Sequence, residues 1–114
     1  MARIPTRLYG PALIAGAAAT VYTGPALTKT IIRHIHVQNP SALPVTFTYS
    51  VGADAAATRL SDAFSIPAAA PGVSGSILDI FCYLIIDIGQ ILQVAAGTAN
   101  ILTITINGDQ IVLG

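Results

Sequence analysis

Charge is what this chain has least of. Lysine, arginine, aspartate and glutamate make up only 9% of its 114 residues, five of each sign, for a formal net charge of +0. An ordinary soluble protein carries about 25%. A surface so poor in charge favours association over life as a separate molecule. The basic residues are Arg3, Arg7, Lys29, Arg33 and Arg59, and only Arg3 and Arg7 lie close in sequence. Phosphate tracking needs clustered lysine and arginine to release counterions, so no nucleic-acid partner is expected.

Cysteine is reduced to Cys82, which excludes a disulfide within the chain and leaves the redox compartment unread. Its place inside an apolar run marks it as a small buried hydrophobe rather than a nucleophile. Glutamate is absent, and the acidic residues are Asp54, Asp62, Asp79, Asp87 and Asp109. No stretch approaches the roughly 18 to 20 apolar residues that span a bilayer, and no membrane partner is expected. Glycine-rich phosphate loops, G-x-S-x-G elbows, H-E-x-x-H and C-x-x-C are all missing. The chain therefore reads as non-enzymatic and free of cofactors.

What is present is apolar sheet. In residues 76–86, Ile77, Leu78, Ile80, Phe81, Cys82, Tyr83, Leu84, Ile85 and Ile86 run almost without a polar break. A strand points alternate side chains to opposite faces, so this one offers apolar groups on both. One face meets the domain's own core and the other calls for a second partner, either another copy or a neighbouring protein. Asp79 alone interrupts the run, and is expected either to face water or to pair with Arg33 or Arg59 across an interface.

At 11.7 kDa the chain fits one domain, burying roughly two-thirds of its unfolded surface without help from metal or disulfide. Residues 1–19 carry Pro5, Pro11, Gly10 and Gly16 and lack alternation. They read as an extended N-terminal arm, which reaches neighbours or lies along its own domain. The basic start followed by residues 12–21 imitates a short secretory signal, against which those prolines and glycines stand. Residues 20–114 form the second unit, a β domain. Strands are expected at 20–23, 28–38, 45–51, 63–66, 76–86, 91–95, 101–106 and 111–113, with Asn107-Gly108 as a hairpin turn and further turns at Gly24-Pro25 and Pro71-Gly72. Seven or eight short strands predict an all-β fold, an antiparallel β-sandwich or a jelly-roll-like domain.

Three features invite chemistry. His34 and His36 share one strand face and have the spacing to hold one metal ion between them, but a tight site needs a third ligand, which only an aspartate from a distant loop can supply. No metal is expected; two partly exposed histidines beside Gln38 are the simpler reading. The aspartates near Gly52, Gly89 and Gly108 fit turn chemistry. Of Tyr9, Tyr22, Tyr49 and Tyr83, Tyr49 shares the Phe47 face and Tyr83 lies in the apolar run, which leaves Tyr9 and Tyr22 as a candidate sugar-stacking platform.

The segments Leu8-Tyr9-Gly10-Pro11, Val21-Tyr22-Thr23-Gly24-Pro25-Ala26, Ile31-Ile32-Arg33-His34-Ile35-His36-Val37-Gln38-Asn39, Val51-Gly52-Ala53-Asp54 and Thr103-Ile104-Thr105-Ile106-Asn107-Gly108 together resemble small virion proteins of tailed bacteriophages. That resemblance implies an all-β, non-enzymatic subunit located in the virion, a capsid decoration (cement) protein or a minor tail protein, with the major capsid protein or tail proteins as partners. The turn Asp87-Ile88-Gly89-Gln90 departs from the more polar turn of such proteins, and the strand before it is unusually apolar. Homo-oligomerisation, as a trimer, is the expected state. The expected contacts are Arg3, Arg7, Ile77, Ile80, Phe81, Tyr83, Leu84 and Ile86. A carbohydrate-binding host-attachment module is the alternative from another class.

Overall fold

Alternating apolar and β-branched residues, punctuated by glycine, proline and asparagine, lay the described residues out as eight strands. They are β1 (Arg3–Leu13), β2 (Ala19–Thr23), β3 (Thr28–Gln38), β4 (Val45–Val51), β5 (Arg59–Ile66), β6 (Ile77–Ile86), β7 (Ile91–Ala96) and β8 (Thr103–Val112). This computed structural model describes residues 3–69 and 76–113, and the turn expected at Pro71-Gly72 lies outside them.

The strands form two antiparallel sheets, ordered β1-β8-β3-β6 and β2-β7-β4-β5. Strand pairs β1·β8, β2·β7, β3·β6 and β4·β5 are each antiparallel neighbours. The chain is thus one long hairpin of paired strands rolled up, with β3·β8 and β4·β7 closing the roll. That is the double Greek key of an eight-stranded jelly roll. Both expected descriptions, sandwich and jelly roll, meet in this topology.

Between the sheets lies a core that includes Ile14, Ile32, Ile35, Val37, Phe47, Ile66, Ile86, Leu92, Leu102, Ile104 and Ile106. Polar groups inside it are matched. The Tyr22 hydroxyl shares a 2.6 Å hydrogen bond with Thr30 Oγ1 and accepts another from Gln110 Nε2 at 3.0 Å, tying β2 to the opposite sheet. Asn39, fully buried at the end of β3, donates from Nδ2 to the carbonyls of Leu43, Ile66 and Pro67, while its Oδ1 accepts from the Ser41 amide and hydroxyl.

Two expectations need correction. Arg3–Leu13, read as part of an arm, is an edge strand paired with β8 from Arg3↔Ile111 to Leu13↔Thr103. Register shifts between Arg7 and Tyr9 and between Tyr9 and Ala12 break its alternation, so the period-two signal is lost although the pairing is not. Pro5 and Pro11 are tolerated because an edge strand leaves one side of its backbone unpaired. Asn107-Gly108 is not a hairpin turn either. It lies in mid-strand, and β8 runs on through it between β1 and β3. Gly108 is required there by crowding: a Cβ at this position would strike the Ile31 carbonyl oxygen and the Leu8 side chain.

Candidate functional site

The outer face of the first sheet gathers most of the chain's distinctive side chains. Arg3 and Arg7 stand on β1, Lys29, Arg33, His34 and His36 on β3, and Asp109 on β8; the fifth basic residue, Arg59, is on the other sheet. β6 forms one edge of the first sheet.

Alternation along β6 divides the apolar run into two rows. Leu78, Ile80, Cys82 and Leu84 pack half-buried against the core and Ile86 is buried completely. Ile77, Phe81, Tyr83 and Ile85 point the other way, with Phe81 78% and Tyr83 60% exposed. Of the expected contact residues, Ile77, Phe81 and Tyr83 are therefore available to a partner. Ile80 and Leu84 serve this domain's own core, and Ile86 is closed off within it. Arg7 is exposed on β1 opposite Asn107. Arg3 Nε lies 3.9 Å from Asp109 Oδ2, to which Arg33 donates at 3.1 Å.

Each exposed aromatic ring of β6 is backed by a residue of β3. Phe81 stacks on His34, its register partner, with ring centroids 4.6 Å apart and planes at 9°. The Arg33 guanidinium sits 5.6 Å from the centre of the Tyr83 ring. Arg33 reaches this position because a register shift between Ile32 and His34 sets it out of step with β6 and β8.

Asp79, the break in the apolar row, pairs with neither Arg33 nor Arg59. It is the register partner of His36. Its Oδ1 lies 2.6 Å from His36 Nδ1 and 2.8 Å from His34 Nε2, and as an ionised acceptor it receives a hydrogen from both rings. These hydrogen bonds, the one from His36 first, hold the Asp79 carboxyl below the ordinary carboxylate range. The third ligand that the histidine pair lacked in the sequence thus comes from the next strand. His34, His36 and Asp79 present ligand atoms that all lie within 4.8 Å of one another. The sequence held two signals for this cluster, the period-two histidines and the lone aspartate in an apolar row, but not the β3·β6 register that joins them.

The sugar-platform candidates do not meet at the surface. Tyr9 packs against the core, and Tyr22 turns its hydroxyl inward to Thr30. Arg59 forms a two-pronged pair with Asp54, at 2.8 and 3.0 Å, and reaches Asp62 at 3.4 Å, which closes the loop between β4 and β5. Cys82 is half-buried and donates to the Ile32 carbonyl at 3.3 Å; burial pushes its thiol pKa up, the opposite of a reactive cysteine. Among the described residues the surface encloses no pocket, so the candidate site is an open sheet face.

Comparison with protein-family models, with characterised proteins and with solved structures returns no match.

Proposed function

We propose that this chain is a non-enzymatic structural subunit of a tailed-phage virion, a capsid decoration protein that assembles with copies of itself, as a trimer, on the shell. The observation that carries this reading is the outward row of β6: Ile77, Phe81, Tyr83 and Ile85 exposed together on an edge strand. Long apolar edges are a hazard that soluble proteins blunt with charge or cover, and this one carries Asp79 as its single charge. Covering it with a sister subunit removes the hazard. The jelly roll supports the reading as a fold-level analogy, being common among viral capsid proteins.

The mechanism is passive. Burying the part of a large apolar side chain that remains exposed yields on the order of 1 kcal/mol. Four such groups per subunit roughly offset the low end of the cost of association. Repetition over many copies then turns modest contacts into a stable lattice. A minor tail protein would use the same contacts at low copy number.

Sedimentation velocity of the purified chain, wild type and Phe81→Asp/Tyr83→Asp, tests the assembly. The reading expects a trimer that the double variant splits into folded monomers; a wild-type monomer at tens of micromolar would sink it. Counting copies per particle then separates the two locations, hundreds for the head and a few for the tail.

A further inference from the structure

We propose that His34, His36 and Asp79 form a binding site for a divalent transition-metal ion of the zinc class, on the outer face of the first sheet. This inference is independent of any virion role.

The donor set is two imidazole nitrogens and one carboxylate oxygen, namely His34 Nε2, His36 Nδ1 and Asp79 Oδ1. That combination suits zinc and its transition-metal neighbours; magnesium and calcium prefer oxygen ligands throughout. The backbone fixes two of the three relationships. His34 and His36 are two apart on β3 and so share a face, and Asp79 is held opposite His36 by the β3·β6 ladder. His34 is further fixed by the Phe81 ring lying flat against it.

The spacing is close to what an ion needs. Ligands bound to zinc at about 2.0 to 2.2 Å in a tetrahedron stand roughly 3.3 to 3.6 Å apart. The two contacts to Asp79 Oδ1, at 2.6 and 2.8 Å, therefore open by up to about an ångström, which small side-chain rotations allow. Without an ion, hydrogens on the two rings occupy the centre of the cluster. Binding moves each to the other ring nitrogen or releases it to solvent. Three protein ligands on an open face leave at least one coordination position to water. Asp79 and both histidines are partly or well exposed, so an ion reaches them directly from solution.

Isothermal titration of the full chain with Zn2+ in a non-chelating buffer, with Mg2+ as control, tests the site. The expected result is one Zn2+ per chain with micromolar affinity, no Mg2+ binding, and a rise in melting temperature with Zn2+. Asp79→Asn keeps the size and shape of the side chain, and His36→Ala removes one ligand; each is expected to weaken Zn2+ binding at least tenfold. Circular dichroism confirms that each variant is folded. Should a variant fail to fold, zinc-induced shifts of the His34 and His36 ring nitrogens in the wild-type NMR spectrum decide instead. Absence of Zn2+ binding by the wild type, undiminished affinity in either folded variant, or unshifted ring nitrogens would overturn the proposal.

Discussion

Phe81 lies flat on His34, ring centroids 4.6 Å apart, and it is also the most exposed large apolar side chain among the described residues, at 78%. Exposure and order usually oppose each other, because a side chain free in water keeps its rotamers. Here a ring from β3 backs it, as the Arg33 guanidinium backs Tyr83. A partner that docks on two aromatic groups already held in place loses less conformational entropy than one that must order them. The outer surface of β6 is in this sense preshaped for contact.

The split of β6 into two rows makes neighbouring residues respond in opposite ways. Leu84→Asp places a charge against the core and is expected to cost about 3 to 5 kcal/mol, enough to unfold much of the population. Tyr83→Asp, one position earlier, loses an exposed ring and its contact with Arg33, and is expected to cost less than about 1 kcal/mol. Urea denaturation of both variants checks this. Equal losses would mean that β6 does not divide into an inner and an outer row.

Asn39 illustrates a different dependence. Its side chain holds the chain where it leaves β3, bonding the carbonyls of Leu43, Ile66 and Pro67 and the Ser41 amide from a fully buried position. Asn39→Ala leaves the buried Ile66 carbonyl and the partly buried groups of Ser41, Leu43 and Pro67 without this partner, and is expected to destabilise the fold by about 2 to 4 kcal/mol. Asn39→Asp keeps the acceptor but loses the donors, and is expected to be no better. Chemical denaturation of the two variants measures both effects.

Asp54 and Arg59 set an acid limit on the loop between β4 and β5. The Arg59 hydrogen bonds hold the Asp54 carboxyl below its ordinary value, and the same pairing raises the Arg59 pKa. A carboxyl depressed in the folded state contributes stability that is fully present above its unfolded pKa and is lost as pH falls through the lower folded one. The loop amides, including Thr58 N, bonded to the Ala55 carbonyl, are therefore expected to lose hydrogen-exchange protection only in the acid range below about pH 4. An NMR titration is expected to place the Asp54 midpoint below the ordinary carboxylate value in the wild type. Arg59→Lys, which cannot make the two-pronged contact, should move the midpoint back towards that value.

Much of the fold was legible because most strands obey period two. Thr28–Gln38 and Val45–Val51 coincide with the strands expected at 28–38 and 45–51. Legibility failed where tertiary contact overrode local preference. Asn107-Gly108 has the composition of a tight turn, but Gly108 is there so that β8 can approach the Ile31 carbonyl. The contact residues were half legible. A run apolar on both faces says that two rows exist, but which row faces inward depends on where β6 sits in the sheet. Asp79 was noticed for its charge and expected either to face water or to pair with arginine; it is exposed, but its histidine partners escaped the sequence because the pairing of β6 with β3 is a long-range register that no local pattern encodes.

The N-terminal strand provides the sharpest test of how the domain is built. A loosely laid arm would be dispensable to the fold. β1, however, pairs along β8 and adds Leu8 and Tyr9 to the packing around the core. Deleting residues 1–13 uncovers one side of β8, a strand that lies inside the sheet, and takes the Leu8 and Tyr9 side chains away from the core. The loss is expected to reach at least about 3 kcal/mol, seen as a lower urea midpoint or loss of a cooperative transition. A synthetic peptide of residues 3–13 is expected to restore part of the stability by pairing with the vacated edge, as strand addition does in other sheets. An unchanged urea midpoint after the deletion would show that β1 is an accessory to the sheet and not part of its frame.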